Sequence, residues 1–420
     1  MEGGDRGDAL YTASIMAVRG HDGAYVWHYQ TTPGDVWDYD ATQTLSLATL
    51  NIQGQPRQVV MQAGKNGFFY VLDRKNGALL SAEAFEPVNW ASGVDLATGR
   101  PIVNPEARYD KTGKLWVAAP GGLGAHNWHA MSFSPQTGLA YIPAQEMPFP
   151  FLKDRDFTPS EVGVNMGIDL ASTSLPQDPK VKAAILAGLK GELVAWDPIA
   201  GRAAWRAPHP GPWNGGLLST GGNLVFQGTA AGDFLAYRAS DGQQLWSFPA
   251  QTGIIAAPMT YAVDGRQYVT IVAGWGGVFP LVAGELAFKS GRIPNRSRVL
   301  TFALDGTASL PEPVAVSEMP LDPPKAVPPP ERVARGAKLY SRYCGSCHGD
   351  AAYSGGLVPD LRHTRALGDD ALWTAIVEKG ALQANGMIAF GKALGGDRLG
   401  DVRAYLVSRA QQSAAAERGH

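Results

Sequence analysis

Three scarcities in the chain exclude whole classes of protein. Only two of its 420 residues are cysteine, too few for a disulfide framework or for a zinc site built from several thiols. No apolar run approaches the ~18 residues that a membrane helix needs, so no membrane span is expected. Lys and Arg total 36 against 38 Asp and Glu, a net charge of -2, and therefore nucleic acid is not an expected partner.

What the chain has in abundance is glycine, proline and tryptophan, with 51, 30 and 11 copies. Many short strands joined by tight turns would use these residues. The length allows two domains with a sizeable core.

Both cysteines lie in a Cys-x-x-Cys-His motif at residues 344–348. Cys344 and Cys347 can each add to one vinyl group of a haem, and His348 then faces the iron, so covalent haem c is predicted. Met387 is the one methionine after this motif, and a thioether as sixth ligand suits an electron carrier. His363 is the alternative sixth ligand, although the neighbouring Arg362 and Arg365 suggest a solvated position for it.

The residues around this motif have helical patterns at 331–343, 369–379 and 397–411, the last two beginning with acidic residues. Residues 331–413 resemble a class I cytochrome c domain, an all-α fold of a few helices around one haem. The resemblance implies that the carbonyl of Pro359 orients the imidazole of the proximal histidine.

Earlier in the chain, a spacing of Ala-x5-Gly-x3-Trp recurs three times. The copies end at Trp27, Trp205 and Trp246, and a degenerate copy ends at Ser81. Each copy predicts a strand, a tight turn with glycine in the left-handed conformation, and a second strand. Trp205 and Trp246 are 41 residues apart, which is within the range of a four-stranded propeller blade. A generic β-sandwich is the alternative fold.

These repeats are similar to the tryptophan docking motifs of quinoprotein dehydrogenase propellers, in which the indole packs between neighbouring blades. Further segments resemble, in order and context, the second half of the quinohaemoprotein alcohol dehydrogenases. They are residues 32–39 around Asp38, the turn of Lys65, Asn127-Trp128, and residues 274–278 ending at Val278. The fold implied is a partial all-β propeller with Trp-motif blades, followed by the cytochrome c domain.

The resemblance implies oxidation of primary alcohols to aldehydes with pyrroloquinoline quinone (PQQ) and calcium. Asp38 would be the general base and a calcium ligand, and Lys65 would stabilise charge on the quinone oxygens. Asn127, Trp128 and Val278 would contact the cofactor. Electrons would pass through haem c to a blue-copper protein, a cytochrome or a quinone oxidase, in the periplasm. An aldose or polyol substrate stays open as an alternative.

The matched family also has a first half, with a vicinal disulfide and the Glu and Asn ligands of calcium, and no counterpart can be identified in this chain. The chain is therefore expected to be a C-terminal portion with five to six blades, an export signal being removed or left out. The expected division is a propeller at 1–305, a proline-rich linker at 306–330 and the cytochrome at 331–420. A truncated propeller–cytochrome that only transfers electrons or binds a partner, without dehydrogenase activity, is the alternative function.

Overall fold

The computed structural model describes residues 7–313 and 319–418. Strands fill the chain as far as residue 302, and helices dominate from residue 330. Residues 314–318, within the segment expected to be a proline-rich linker, lie outside the described residues.

The strands of the first part are short, as the turn-rich sequence predicts. They are β1 (Ser14–Val18), β2 (Tyr25–Gln30), β3 (Ser46–Ile52), β4 (Gln55–Ala63), β5 (Phe68–Asp73), β6 (Leu79–Ala84), β7 (Ala91–Asp95), β8 (Arg100–Val103), β9 (Trp116–Ala118), β10 (Ser132–Ser134), β11 (Leu139–Glu146), β12 (Phe149–Phe151), β13 (Lys190–Asp197), β14 (Arg202–His209), β15 (Leu217–Ser219), β16 (Leu224–Gly228), β17 (Asp233–Arg238), β18 (Gln244–Pro249), β19 (Met259–Val263), β20 (Arg266–Ala273) and β21 (Arg298–Phe302).

Three of the sheets have four antiparallel strands: β3–β6, then β10, β11, β13 and β14, then β15–β18. The sheet of β19, β20 and β21 has three strands. Three further sheets are two-stranded pairs: β1 with β2, β7 with β8, and β9 with β12. The described residues therefore contain three four-stranded blades and one three-stranded blade, and the expected five to six blades are reached only if two-stranded pairs are counted as partial blades. In the described residues the series of sheets begins with the two-stranded pair of β1 and β2 and ends with the three-stranded sheet of β19, β20 and β21, so both end blades are incomplete.

The recurring Trp spacing corresponds to one hairpin geometry. Trp27, Trp205 and Trp246 each pair directly with the alanine of their repeat across the hairpin, with a bulge next to that alanine. The repeat glycines have positive φ, for example 74° at Gly242, as the turn prediction requires. The repeats therefore encode a bulged hairpin at the outer edge of each blade.

The indoles of two repeats join successive blades. Trp27 on β2 donates its Nε1–H to the carbonyl of Arg74, 3.1 Å away in the β5–β6 turn. Trp205 on β14 does the same with Ala239 after β17, at 3.0 Å. Trp246 instead packs edge-to-face with Phe302 of the last sheet, with the ring centroids 5.2 Å apart. Apolar clusters fill the spaces between consecutive sheets, so the sheets stack face to face in chain order.

The outermost sheets leave apolar side chains uncovered. Val299 on β21 is 70% exposed, and Met259 and Tyr261 on β19 are also exposed. Met16 and Tyr25 on the β1–β2 hairpin are exposed in the same way. This is the surface expected of an open propeller, which presents blade faces to solvent.

The helices of the chain are α1 (Tyr109–Thr112), α2 (Pro179–Gly188), α3 (Val278–Val282), α4 (Pro330–Tyr343), α5 (Gly345–His348), α6 (Asp370–Trp373), α7 (Gly391–Leu394) and α8 (Asp397–Arg418). The last five form the second part, in which α4 packs on α8 around one apolar cluster that includes Tyr340, Trp373 and Leu406. No helix in the described ranges is both long and apolar enough to cross a membrane.

Candidate functional site

A lysine and two carboxylates form the centre of the first candidate site. Lys65 lies in the β4–β5 turn with only 5% of its side chain exposed, and its Nζ donates to Asp38 Oδ2 at 3.0 Å. It also donates to Asp40, a partner that the sequence had not singled out. The side chain of Asp38 is 65% exposed and so is accessible to a ligand. Desolvation by the surrounding protein raises the pKa of Asp38, and the Lys65 ammonium opposes that rise.

Asp38 is held between two buried aromatic residues. Trp37 donates its Nε1–H to Ala107 at 3.0 Å, and the Tyr39 hydroxyl donates to the carbonyl of Pro120. The two rings stack with their centroids 5.7 Å apart. Because its neighbours are both anchored, Asp38 has little freedom to move away from Lys65.

The loop at residues 121–129 brings Asn127 towards this centre. A Cβ at Gly124 would lie 2.6 Å from Lys65 Cγ, and one at Gly122 would lie 3.6 Å from Asp38 Cβ. Asn127 Nδ2 donates to the carbonyl of Leu123 at 2.9 Å, between these two glycines. Asp38, Lys65 and Asn127 therefore belong to one continuous surface.

Trp128 and Val278 extend that surface. Trp128 is 43% exposed, with its inner face stacked on His129 at 4.2 Å between ring centroids. Trp213 lies edge-on to Trp128 and donates its Nε1–H to the carbonyl of Gly276 at 3.1 Å. Val278, two residues further, begins α3 and is partly exposed. The indole of Trp128 thus offers one free aromatic face to a planar ligand.

Two histidines that the sequence did not assign lie beneath this surface. His129 is 2% exposed, burial lowers its pKa to about 3, and its Nε2 has no hydrogen-bond partner among the described residues. His126 is also buried, with Nδ1 2.9 Å from the carbonyl of Ala63 and Nε2 2.7 Å from that of His129. The pair links the strand that precedes Lys65 to the residues that support Trp128.

The haem motif occupies the start of the second part. Cys344 is buried, which raises the pKa of its thiol to about 12, and Cys347 is exposed. His348 Nδ1 lies 3.0 Å from the carbonyl of Pro359 and donates to it, leaving Nε2 for an iron. This is the contact that the cytochrome resemblance implies, and the two thiols with the imidazole fit a covalent haem.

The two candidates for the sixth ligand have different surroundings. Met387 packs against the apolar cluster of the cytochrome part. His363 Nδ1 lies 2.5 Å from the carbonyl of Met319 in the linker. Arg362, which in the sequence suggested a solvated position for His363, is itself buried, bonds to Asp360 and lies over the Tyr353 ring, so it does not indicate solvent at its neighbour.

A short segment connects the two candidate sites. The loop between His348 and Pro359 is called the haem loop here. Trp275, three residues before Val278, donates its Nε1–H to the carbonyl of Gly355 in this loop, at 3.2 Å. Helix α3 packs against α5, which carries the haem motif. Asp350, just after the motif, accepts a hydrogen bond from the Leu175 amide at 2.8 Å. The surface around Asp38 and the haem motif are therefore parts of one packed unit.

The described residues fit calcium less well than they fit a haem. They contain no group of three or more His, Cys, Asp or Glu side chains placed to hold a metal ion. Asp38 and Asp40 are the carboxylates at the centre, and both bond to Lys65. Calcium prefers six to eight oxygen ligands, so these residues alone do not make a calcium site.

Stacked antiparallel sheets followed by a helical haem-motif part define a β-propeller joined to a cytochrome c domain. Comparison with known proteins agrees: residues 1–94 and 97–269 match the PQQ family of glucose/ethanol/alcohol dehydrogenase β-propeller domains. Residues 331–406 match the family of cbb3-type cytochrome c oxidase subunit III. The chain belongs to the PQQ-dehydrogenase propeller family, which implies PQQ, haem c and calcium as cofactors.

Several relatives match nearly the whole chain. Quinohemoprotein alcohol dehydrogenase ADH IIB of Pseudomonas putida is 50% identical over 96% of this chain and 57% of its own length. The structure of ADHIIG from the same organism superposes with a TM-score of 0.88 at 43% identity, covering 96% of this chain and 59% of that protein. The structure of the quinohemoprotein alcohol dehydrogenase of Comamonas testosteroni superposes with a TM-score of 0.80 at 40% identity, covering 96% of this chain and 58% of that protein. The chain spans a little over half the length of these relatives.

Proposed function

We propose that this chain takes part in the oxidation of primary alcohols to aldehydes with PQQ, the electrons leaving through covalent haem c. One observation carries the proposal: the segment at 275–282 touches both the surface around Asp38 and the loop that supports the haem histidine. Electrons can pass from an alcohol site to a haem only if the two sites lie close together, and this segment connects them. The family match and the relatives named as alcohol dehydrogenases support the same reaction.

In this proposal Asp38 accepts the hydroxyl proton of the alcohol. Its carboxylate is exposed towards the site, and a pKa above the ordinary value makes it a stronger base. Lys65 holds that carboxylate in place and supplies positive charge where the quinone oxygens would lie. Asn127, Trp128 and Val278 would form the rim against which the planar cofactor rests, and PQQ itself would accept the hydride.

The second site would hold haem c through Cys344 and Cys347, with His348 and Met387 as the axial ligands. The electrons would pass to a soluble copper protein, a cytochrome or a quinone oxidase in the periplasm. We propose the functional units at 1–305 and 331–420, with residues 306–330 as the linker.

A second candidate is electron transfer or binding without alcohol oxidation. The lack of a three-ligand metal group among the described residues favours it, because the calcium of the family would have few ligands from this chain. The haem motif would then be the chain's working centre.

The deciding experiment measures haem reduction by a primary alcohol in the haem-loaded protein supplied with PQQ and calcium. We expect reduction by the parent, and a rate lower by about 10²-fold or more in Asp38→Asn, because an amide cannot accept the proton. Asp241→Asn, in an exposed turn, is the control and should match the parent.

An unchanged rate in Asp38→Asn would refute Asp38 as the base. A parent that exchanges electrons with an artificial donor but ignores alcohol would favour the second candidate.

A further inference from the structure

The backbone of Asp38 has an unusual conformation that needs a cause. Its φ is 66°, in the left-handed region that residues other than glycine seldom adopt. Such a residue persists only when its surroundings hold it there. The indole and phenol anchors of Trp37 and Tyr39 fix the two neighbouring side chains but leave the peptide groups beside Asp38 to be held by something else.

Asp35 holds the backbone before and after Asp38, at the Val36–Trp37 and Asp38–Tyr39 peptide groups. Its Oδ1 accepts the amide N–H of Trp37 at 2.9 Å, and its Oδ2 accepts that of Tyr39 at 2.7 Å. These amides lie on either side of Asp38, so one carboxylate clamps the residue from both ends. Asp35 is partly buried, and neither of its two hydrogen bonds involves Lys65, whose Nζ donates to the side chains of Asp38 and Asp40.

We propose that Asp35 is a positioning residue, which turns the Asp38 carboxylate towards Lys65 and into the candidate site. This inference rests on the proposed function of Asp38 and assigns Asp35 no contact with substrate or cofactor. The clamp needs a carboxylate, because each of its two oxygens must accept one N–H. The amide of asparagine has a single acceptor oxygen, and its NH2 would face the second backbone N–H.

The chain offers a matched control. Asp197 also caps a turn, but its Oδ1 alone accepts both amides, those of Ile199 at 2.9 Å and Ala200 at 3.0 Å. Asparagine can keep both of those bonds through its carbonyl oxygen. Asp35→Asn should therefore break a clamp that Asp197→Asn preserves, although the two changes are chemically the same.

The first measurement is the crystal structure of each haem-loaded variant beside the parent. We expect Asp38 to leave the left-handed region and to lose its contact with Lys65 in Asp35→Asn alone. An Asp35→Asn variant that keeps the φ of Asp38 and its bond to Lys65 would overturn the proposal. This readout does not depend on PQQ or on turnover.

The second measurement is steady-state kinetics with PQQ and calcium. We expect kcat of Asp35→Asn to fall by about 10- to 10²-fold, since a misplaced base costs rate. The KM for alcohol should stay near that of the parent, whereas general unfolding would also lower the fraction of protein that binds PQQ. A variant with altered Asp38 geometry but parental kcat would overturn the positioning role. A parent without activity would refute the proposed function, and the crystal structures would still decide whether Asp35 orients Asp38.

Discussion

The residue that completes the iron coordination determines the redox behaviour of the cytochrome part. Met387 packs against the same apolar cluster as Cys344, whereas His363 bonds to the linker. A thioether ligand stabilises ferrous iron, so Met387→Ala should leave the haem attached, lower its reduction potential on the order of 0.1 V and open the sixth site. Redox titration and carbon monoxide binding to the reduced protein measure both effects.

His363→Ala is the control and should leave the potential and the spectrum unchanged. The reverse result, with an effect only from His363→Ala, would make the histidine the sixth ligand.

At the same scale, residues whose chemistry is contained in a local motif could be predicted from the sequence. Cys344, Cys347 and His348 are adjacent, so their spacing alone indicates haem attachment. Asp40 and Asp35 could not be predicted in this way. Asp40 acts on a lysine 25 positions away, and Asp35 acts on backbone amides whose direction depends on the folded loop. The Asp-x-Asp spacing of residues 38 and 40 was the one available signal.

At the scale of elements, the docking of one blade on the next depends on a glycine beneath an indole. A Cβ at Gly242 would lie 2.5 Å from the ring of Trp205, in a turn with a φ of 74°. Gly242→Ala should therefore lower the free energy of unfolding through two contributions. The backbone conformation accounts for about 1–2 kcal/mol and the displaced indole for about 1–3 kcal/mol. Thermal or denaturant unfolding measures the sum.

Gly265→Ala measures the backbone contribution alone, so the difference between the two variants gives the contribution of the displaced indole. Gly265 has nearly the same φ, 77°, and a Cβ there would meet nothing within 4 Å. We expect it to show the backbone penalty alone. Equal losses in the two variants would mean that the contact with Trp205 contributes nothing to stability.

At the scale of the whole molecule, the succession of blades and cytochrome was predictable because repeats and the haem motif follow each other in sequence. The interface between the propeller part and the cytochrome part could not be predicted from the sequence. It joins short segments far apart in the chain, such as Leu175 with Asp350 and Gln177 with Arg409. The segment at 154–188 has the composition of a surface loop, and its contact with the cytochrome depends on tertiary packing that no local pattern records.

Backbone meets backbone at several points of that interface, and Gly355 is one where no room is left for a side chain. A Cβ at Gly355 would lie 2.1 Å from the carbonyl oxygen of Pro280 in α3. Gly355→Ala should push the haem loop away, break the bond from Trp275 and weaken docking by about 2 kcal/mol. Since an undocked cytochrome leaves the linker free, proteolysis between the two parts should become faster. Gly368→Ala, in the same part with open space around it, should be cleaved at the parental rate. Equal cleavage of the two variants would show that the contact between Gly355 and Pro280 does not hold the cytochrome against the propeller.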